Sequence, residues 1–205
     1  MNPFSEEGRK LFVSTENLRR SAPQLNSMWD AFWDFLLENK IEIGTIKVHE
    51  GDYEEECDDW VKTAQCDHVY VKQKTTGRGK PKTIGSISAI VRLCGTNAGA
   101  NTSAAWPWLD QACFIVAWHK TNEIWCLENF EPTHDSPIEH RGNGLWVWAE
   151  DDHDFSYFFV LPLFSLTSEE ILFTNALKPL EQLFNANDPT EIAAGVLRDI
   201  PVLKP

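Results

Sequence analysis

The sequence predicts an α+β fold: an antiparallel sheet of about five to seven strands, packed by an N-terminal amphipathic helix and by helices at the C-terminal end. Three observations predict it. Residues 111–166 are the densest apolar and aromatic stretch of the chain. Residues 21–40 place Leu25, Met28, Trp29, Phe32, Trp33, Leu36 and Leu37 at helical spacing, which gives a broad apolar face. Strand signals are bracketed by helical ones rather than alternating with them, the pattern of an antiparallel sheet with segregated helices.

The central stretch sets the sheet. Residues 112–118 are apolar at every position, as in a strand buried on both faces. A tight turn around Thr121 and Asn122 predicts a return strand over 124–130; a two-residue turn places Trp118 across from Trp125 or near it. A second hairpin runs out over 145–149 and back over 155–163, through the acidic connection 150–154. Upstream, residues 41–48 predict a short strand. Residues 67–75 and 83–93 predict a hairpin whose glycine-rich tip, 76–82, is basic.

The helices have cap signals. Ser21 caps the 21–40 helix with Pro23 in its first turn. Thr167 and Glu170 form a capping box, and Pro179 predicts a kink or break. Asp188 with Pro189 starts a last helix that runs to about Asp199. Residues 1–20, with Phe4, Leu11, Phe12 and Leu18 scattered, read as an arm containing a short helix over 6–12; residues 200–205 read as a tail.

A chain of 205 residues suits one domain. Hydrophobic content of 42% and nine Trp exclude a disordered chain. No apolar run is long enough for a bilayer, and residues 1–7 lack a secretory signal. Five cysteines at irregular spacing predict reduced thiols in a cytoplasmic protein rather than a disulfide framework.

Net charge is −13. Such a surface repels phosphates away from any basic patch and attracts basic partners. Two acidic features stand out. Asp30, Asp34 and Glu38 line the side of the 21–40 helix away from its apolar face; like charges at that spacing are mildly destabilising in an isolated helix. Residues 50–60 hold seven carboxylates, among them Asp52, Glu54, Glu55, Glu56, Asp58 and Asp59. Each is either a solvated face or a contact for a basic protein, and residues 50–60 have a third reading as a divalent-cation site. The calcium-loop pattern is absent from 50–60.

Positive charge collects at Lys72, Lys74, Arg78, Lys80 and Lys82. A basic β-arm contacts phosphates, yet neither common phosphate-loop spacing is present. His134, Asp135, Glu139 and His140, in a polar loop over 131–144, are the best ligands for a divalent metal ion. No two His there sit one helical turn apart. Cys113 and His119 share a strand face but lie too far apart to touch, and no Gly-x-Ser-x-Gly elbow occurs. Three functions follow as expectations. The first is a non-enzymatic acidic protein, without a cofactor, that binds and inhibits a basic protein in the manner of an immunity protein or antitoxin. The second is a metal-dependent hydrolase or nuclease using the loop from His134 to His140. The third is a nucleic-acid accessory protein using the basic hairpin. Residues 95–105, nearly all small, and Trp106-Pro107-Trp108 beside them give either a binding cleft or hydrophobic anchors.

Overall fold

A computed structural model describes residues 3–38, 40–48, 64–73, 81–93, 111–120, 137–149 and 155–205. One long helix, α1 (Pro3–Leu37), precedes β1 (Thr45–Val48), β2 (Ala64–Lys72), β3 (Thr83–Arg92), β4 (Cys113–His119), β5 (Ile138–His140), β6 (Leu145–Ala149) and β7 (Phe155–Pro162). Helices α2 (Glu169–Leu172), α3 (Lys178–Asn185) and α4 (Pro189–Val196) follow. The strands form one antiparallel sheet in the order β1-β2-β3-β4-β7-β6-β5. The fold class is the α+β class that the sequence predicts.

All seven residues of β4 are buried, because it lies mid-sheet with apolar layers on both faces. Ile115 sits between Ile90 and Val160, and Phe114 between Val91 and Leu161. Both edges of β4 are therefore taken by β3 and β7. The expected pairing of β4 with a strand over 124–130 is not met: Trp118 lies across from Ile87 and Tyr157. The physical reason is burial. Phe158, Phe159, Val160 and Leu161 on β7 are all fully buried, and a strand apolar on both sides belongs at the centre of a sheet. Residues 121–136 lie outside the described residues. The hairpin of β6 and β7 forms as predicted, as does that of β2 and β3.

The first face of the sheet carries Val69, Ile87, Phe114, Val116, Phe159 and Leu161, covered by α1 and the C-terminal helices. Phe32 of α1 packs edge-on against Phe114, with ring centres 5.1 Å apart. Phe35 meets Phe173 at 5.5 Å. Two side chains of α3 clamp the segment before β1: Glu181 accepts from the Glu42 N–H at 2.6 Å, and Asn185 donates to the Glu42 carbonyl at 2.7 Å.

Three local expectations are corrected. First, α1 starts at Pro3, not near Ser21, and Pro23 lies inside it. Residues 6–20 hold the helix with ion pairs Lys10–Glu6, Arg19–Glu16 and Arg20–Glu16, a spacing that supports helix. The single hydrogen bond that Pro23 removes does not end it. Second, the cap of α2 is Ser168 rather than Thr167: its hydroxyl accepts from the Ile171 N–H at 3.2 Å. Third, Pro179 does not end the helix; the disturbance expected near it takes the form of a π turn one turn earlier. This turn, over Phe173–Leu177, is closed by the Lys178 N–H on the Phe173 carbonyl, and a wider turn of this kind loosens the backbone ahead of the proline ring. Asp188 does cap α4, accepting from the Thr190 N–H at 2.8 Å and its hydroxyl at 2.6 Å.

Among the described residues no helix is long and apolar enough to cross a membrane.

Candidate functional site

The acidic ridge on α1 is built by the same helix that seals the core. Trp29, Phe32 and Leu36 are buried on its inner side. The Trp29 indole donates to Asp67 on β2 at 3.1 Å, which fixes the rotation of the helix about its axis. Asp30, Asp34 and Glu38 consequently face outward, and all three are exposed. Successive members are about 6 Å apart along the axis. Glu38 pairs with Lys40 at 3.3 Å; Asp30 and Asp34 make no ion pair with a described residue. The ridge is thus a straight row of carboxylates on a rigid support. Asp52, Glu54, Glu55, Glu56, Asp58 and Asp59 lie outside the described residues.

The basic hairpin is described only at its base. Lys72 is committed locally, donating to the Thr83 hydroxyl and lying 5.6 Å from the centre of the Tyr70 ring. Lys82 is exposed. Lys74, Arg78 and Lys80 lie outside the described residues, as do the small-residue loop and Trp106-Pro107-Trp108.

Of the metal-ligand candidates, His134 and Asp135 are likewise outside. Glu139 and His140 fall on β5, a strand within the stretch expected to be a loop. It is three residues long and bounded by Pro137, too short to show a period in the sequence. Neighbours on a strand point to opposite faces, so these two do not converge on one ion. Glu139 pairs with Arg141 at 2.7 Å. His140 packs on Trp146 with ring centres 4.7 Å apart, and its Nε2 accepts from the Gly144 N–H at 3.1 Å. Burial, and then the charge of Lys204, hold the His140 imidazole below its ordinary pKa. Among the described residues, no three His, Cys, Asp or Glu side chains gather as a metal would require.

The second face of the sheet holds a cluster that the sequence hides. Tyr70, Ser86, His119, Ser156 and Trp148 are successive cross-strand partners on β2, β3, β4, β7 and β6. His68 and Ser88 are paired in the row one step along. Ser86, His119 and Ser156 are buried. Five segments scattered over nearly 90 residues meet here, and only the register of the sheet brings them together. Much of the rest of this face is apolar, with Ile90, Ile115, Phe158 and Val160. At its far end Cys113 lies beside Arg92. Burial pushes the Cys113 thiol up to about 12, against a downward pull from Arg92. It is not in a disulfide and stays protonated at neutral pH, whereas nucleophilic chemistry needs the thiolate. Six residues of strand separate it from His119 by about 20 Å.

A further polar corner lies where α4 begins. Lys120 donates to the Ala186 carbonyl at 2.5 Å. Burial lowers its pKa while Asp188 raises it. Tyr157, stacked on Trp118 at 5.6 Å, is raised by burial and by Asp188.

No protein-family model matches the chain, and no curated protein or solved structure is similar to it.

Proposed function

We propose that this protein is an acidic binding module that engages a basic protein through the outer ridge of α1. The observation that carries this reading is the pair Asp30 and Asp34: exposed, free of ion pairs with described residues, and held one turn apart on a helix whose opposite side is locked into the core. A preorganised row of like charges costs little further ordering when a cationic surface arrives. The overall charge of −13 adds long-range attraction for such a partner and speeds encounter. An inhibitory, immunity-type role is the most specific form of this proposal.

The test is capture of partners at low salt from nuclease-treated lysate, with the wild type and with Asp30→Asn/Asp34→Asn/Glu38→Gln. Three exposed charge pairs contribute roughly 1–3 kcal/mol together. The triple variant should therefore bind the basic partner about 5- to 150-fold more weakly, with an unchanged melting curve. Equal binding by the variant removes the ridge from the interface. Material that disappears on nuclease treatment moves the contact to the basic hairpin and nucleic acid.

A further inference from the structure

Among the described residues, the first half of α1 packs on nothing in the core: the core contacts of the helix begin at Leu25. At a rise of about 1.5 Å per residue, the stretch from Pro3 to Gln24 spans roughly 33 Å. Leu11, Phe12 and Val13 on it are 70%, 67% and 47% exposed. Leu11 and Leu18 follow a seven-residue spacing that continues into Leu25 and Phe32 of the core-facing stripe. Leu11 and Leu18 therefore share one side of the helix, with only the small residues Ser14, Thr15, Ser21 and Ala22 between and beside them, which lets a second helix approach along it.

Charge indicates what covers it. Glu6, Glu7 and Glu16 against Arg9, Lys10, Arg19 and Arg20 leave this half at +1, within a chain of net −13. Ion pairs within the helix already tie Glu6 to Lys10 and Glu16 to Arg19 and Arg20. The remainder of the molecule is strongly acidic and repels its own copies. Two half-helices can meet without that opposition. We infer that two copies of this chain pair through the first halves of α1, antiparallel, so that the acidic bodies sit at opposite ends.

The experiment is sedimentation equilibrium of the full chain, wild type and Leu11→Glu/Leu18→Glu, at low and high salt, with small-angle scattering of the same samples. The wild type should sediment as two 23.4 kDa chains. Its dimer should tighten severalfold with salt, because screening relieves repulsion between the bodies; salt acts with the opposite sign on ridge binding, so the two proposals fail separately. The variant puts four carboxylates into the seam and should weaken dimerisation at least about tenfold. Its circular dichroism should not change, and its melting should match that of the wild type at concentrations too low for pairing, since neither position packs in the core and pairing itself stabilises the fold. Scattering should show an elongated pair with two separated bodies. A monomer at every salt and concentration overturns the pairing. So does a dimer that the variant leaves intact, and a compact side-by-side pair overturns the antiparallel sense.

Discussion

The two ends of the chain meet the body in opposite ways. The first half of α1 is regular helix and leaves Leu11 and Phe12 in the open. The last five residues, Pro201 to Pro205, have no regular structure and are anchored through Val202 and Leu203. The Leu203 N–H donates to the Val160 carbonyl at 2.8 Å. Val202 joins the core of the first face, and Leu203 packs against the second. The pairing of β6 with β7 stops at Leu145 and Phe159, so the edge of β7 beyond it is open, and the tail fills it. Regularity is therefore no measure of docking. A helix satisfies its own backbone and needs neighbours only for its side chains. An open sheet edge has unmet backbone groups and recruits whatever chain can supply a donor.

The sharpest break in this comparison lies inside α1 itself. Phe32→Ala removes a fully buried ring and should cost about 3–5 kcal/mol. Phe12→Ala, twenty residues earlier on the same helix, should change the stability of the dilute protein by no more than about 0.5 kcal/mol. Urea unfolding monitored by tryptophan fluorescence measures both. Comparable losses would mean that the first half of the helix is packed after all.

The same contrast shows what the sequence can reveal. The docked half of α1 is legible because burial imposes helical spacing on Leu25, Phe32 and Leu36, and the ridge of Asp30, Asp34 and Glu38 is legible as its complement. Where α1 begins is not: Ser21 and Pro23 carry a start signal that the ion-paired residues before them override. The order of the strands is also hidden. Turn chemistry after β4 favours a local hairpin, but β7 competes for the same edge with more apolar area, and no local signal records that competition. The docked tail amounts to two apolar residues, too few for a period. Glu139 and His140 look like co-ligands because they are adjacent, yet adjacency on a strand separates them. The row from Tyr70 to Trp148 comes from five strands whose register no single segment encodes.

At the other end of the chain, Gly144 holds the docking together. Its φ is +87°, and a Cβ there would lie 2.8 Å from the Val202 Cβ. Gly142, two residues earlier, has φ +90° but open space around it. Gly142→Ala should therefore cost only the left-handed strain, about 1–2 kcal/mol. Gly144→Ala adds displacement of Val202, whose burial contributes about 1.5–3 kcal/mol, for a total of roughly 2.5–5 kcal/mol. Only Gly144→Ala should open residues 201–205 to carboxypeptidase. Equal losses in the two variants would show that the tail contributes no stability.

The smallest expected effect is a pH response of the same tail. Nε2 of His140 accepts from the Gly144 N–H, so the neutral ring carries its proton on Nδ1. Burial first and Lys204 second lower its folded-state pKa. A depressed pKa means that the group stabilises the fold above its unfolded value of about 6.5. That contribution is lost as the pH falls through 6.5 and then through the folded-state value. Protonation removes the acceptor beneath Gly144 and sets a second cation near Lys204, so both effects loosen the tail. Asp188, whose pKa is lowered chiefly by hydrogen bonds from Thr190, loses its contribution only further into the acid range. An NMR titration should show the His140 ring protons with a midpoint below 6.5 and the Val202 methyl signals moving with the same midpoint. Lys204→Gln should bring that midpoint back toward 6.5. A midpoint at or above 6.5, or Val202 methyls that ignore it, would separate the histidine from the tail and leave the sheet edge alone as the reason the chain end docks.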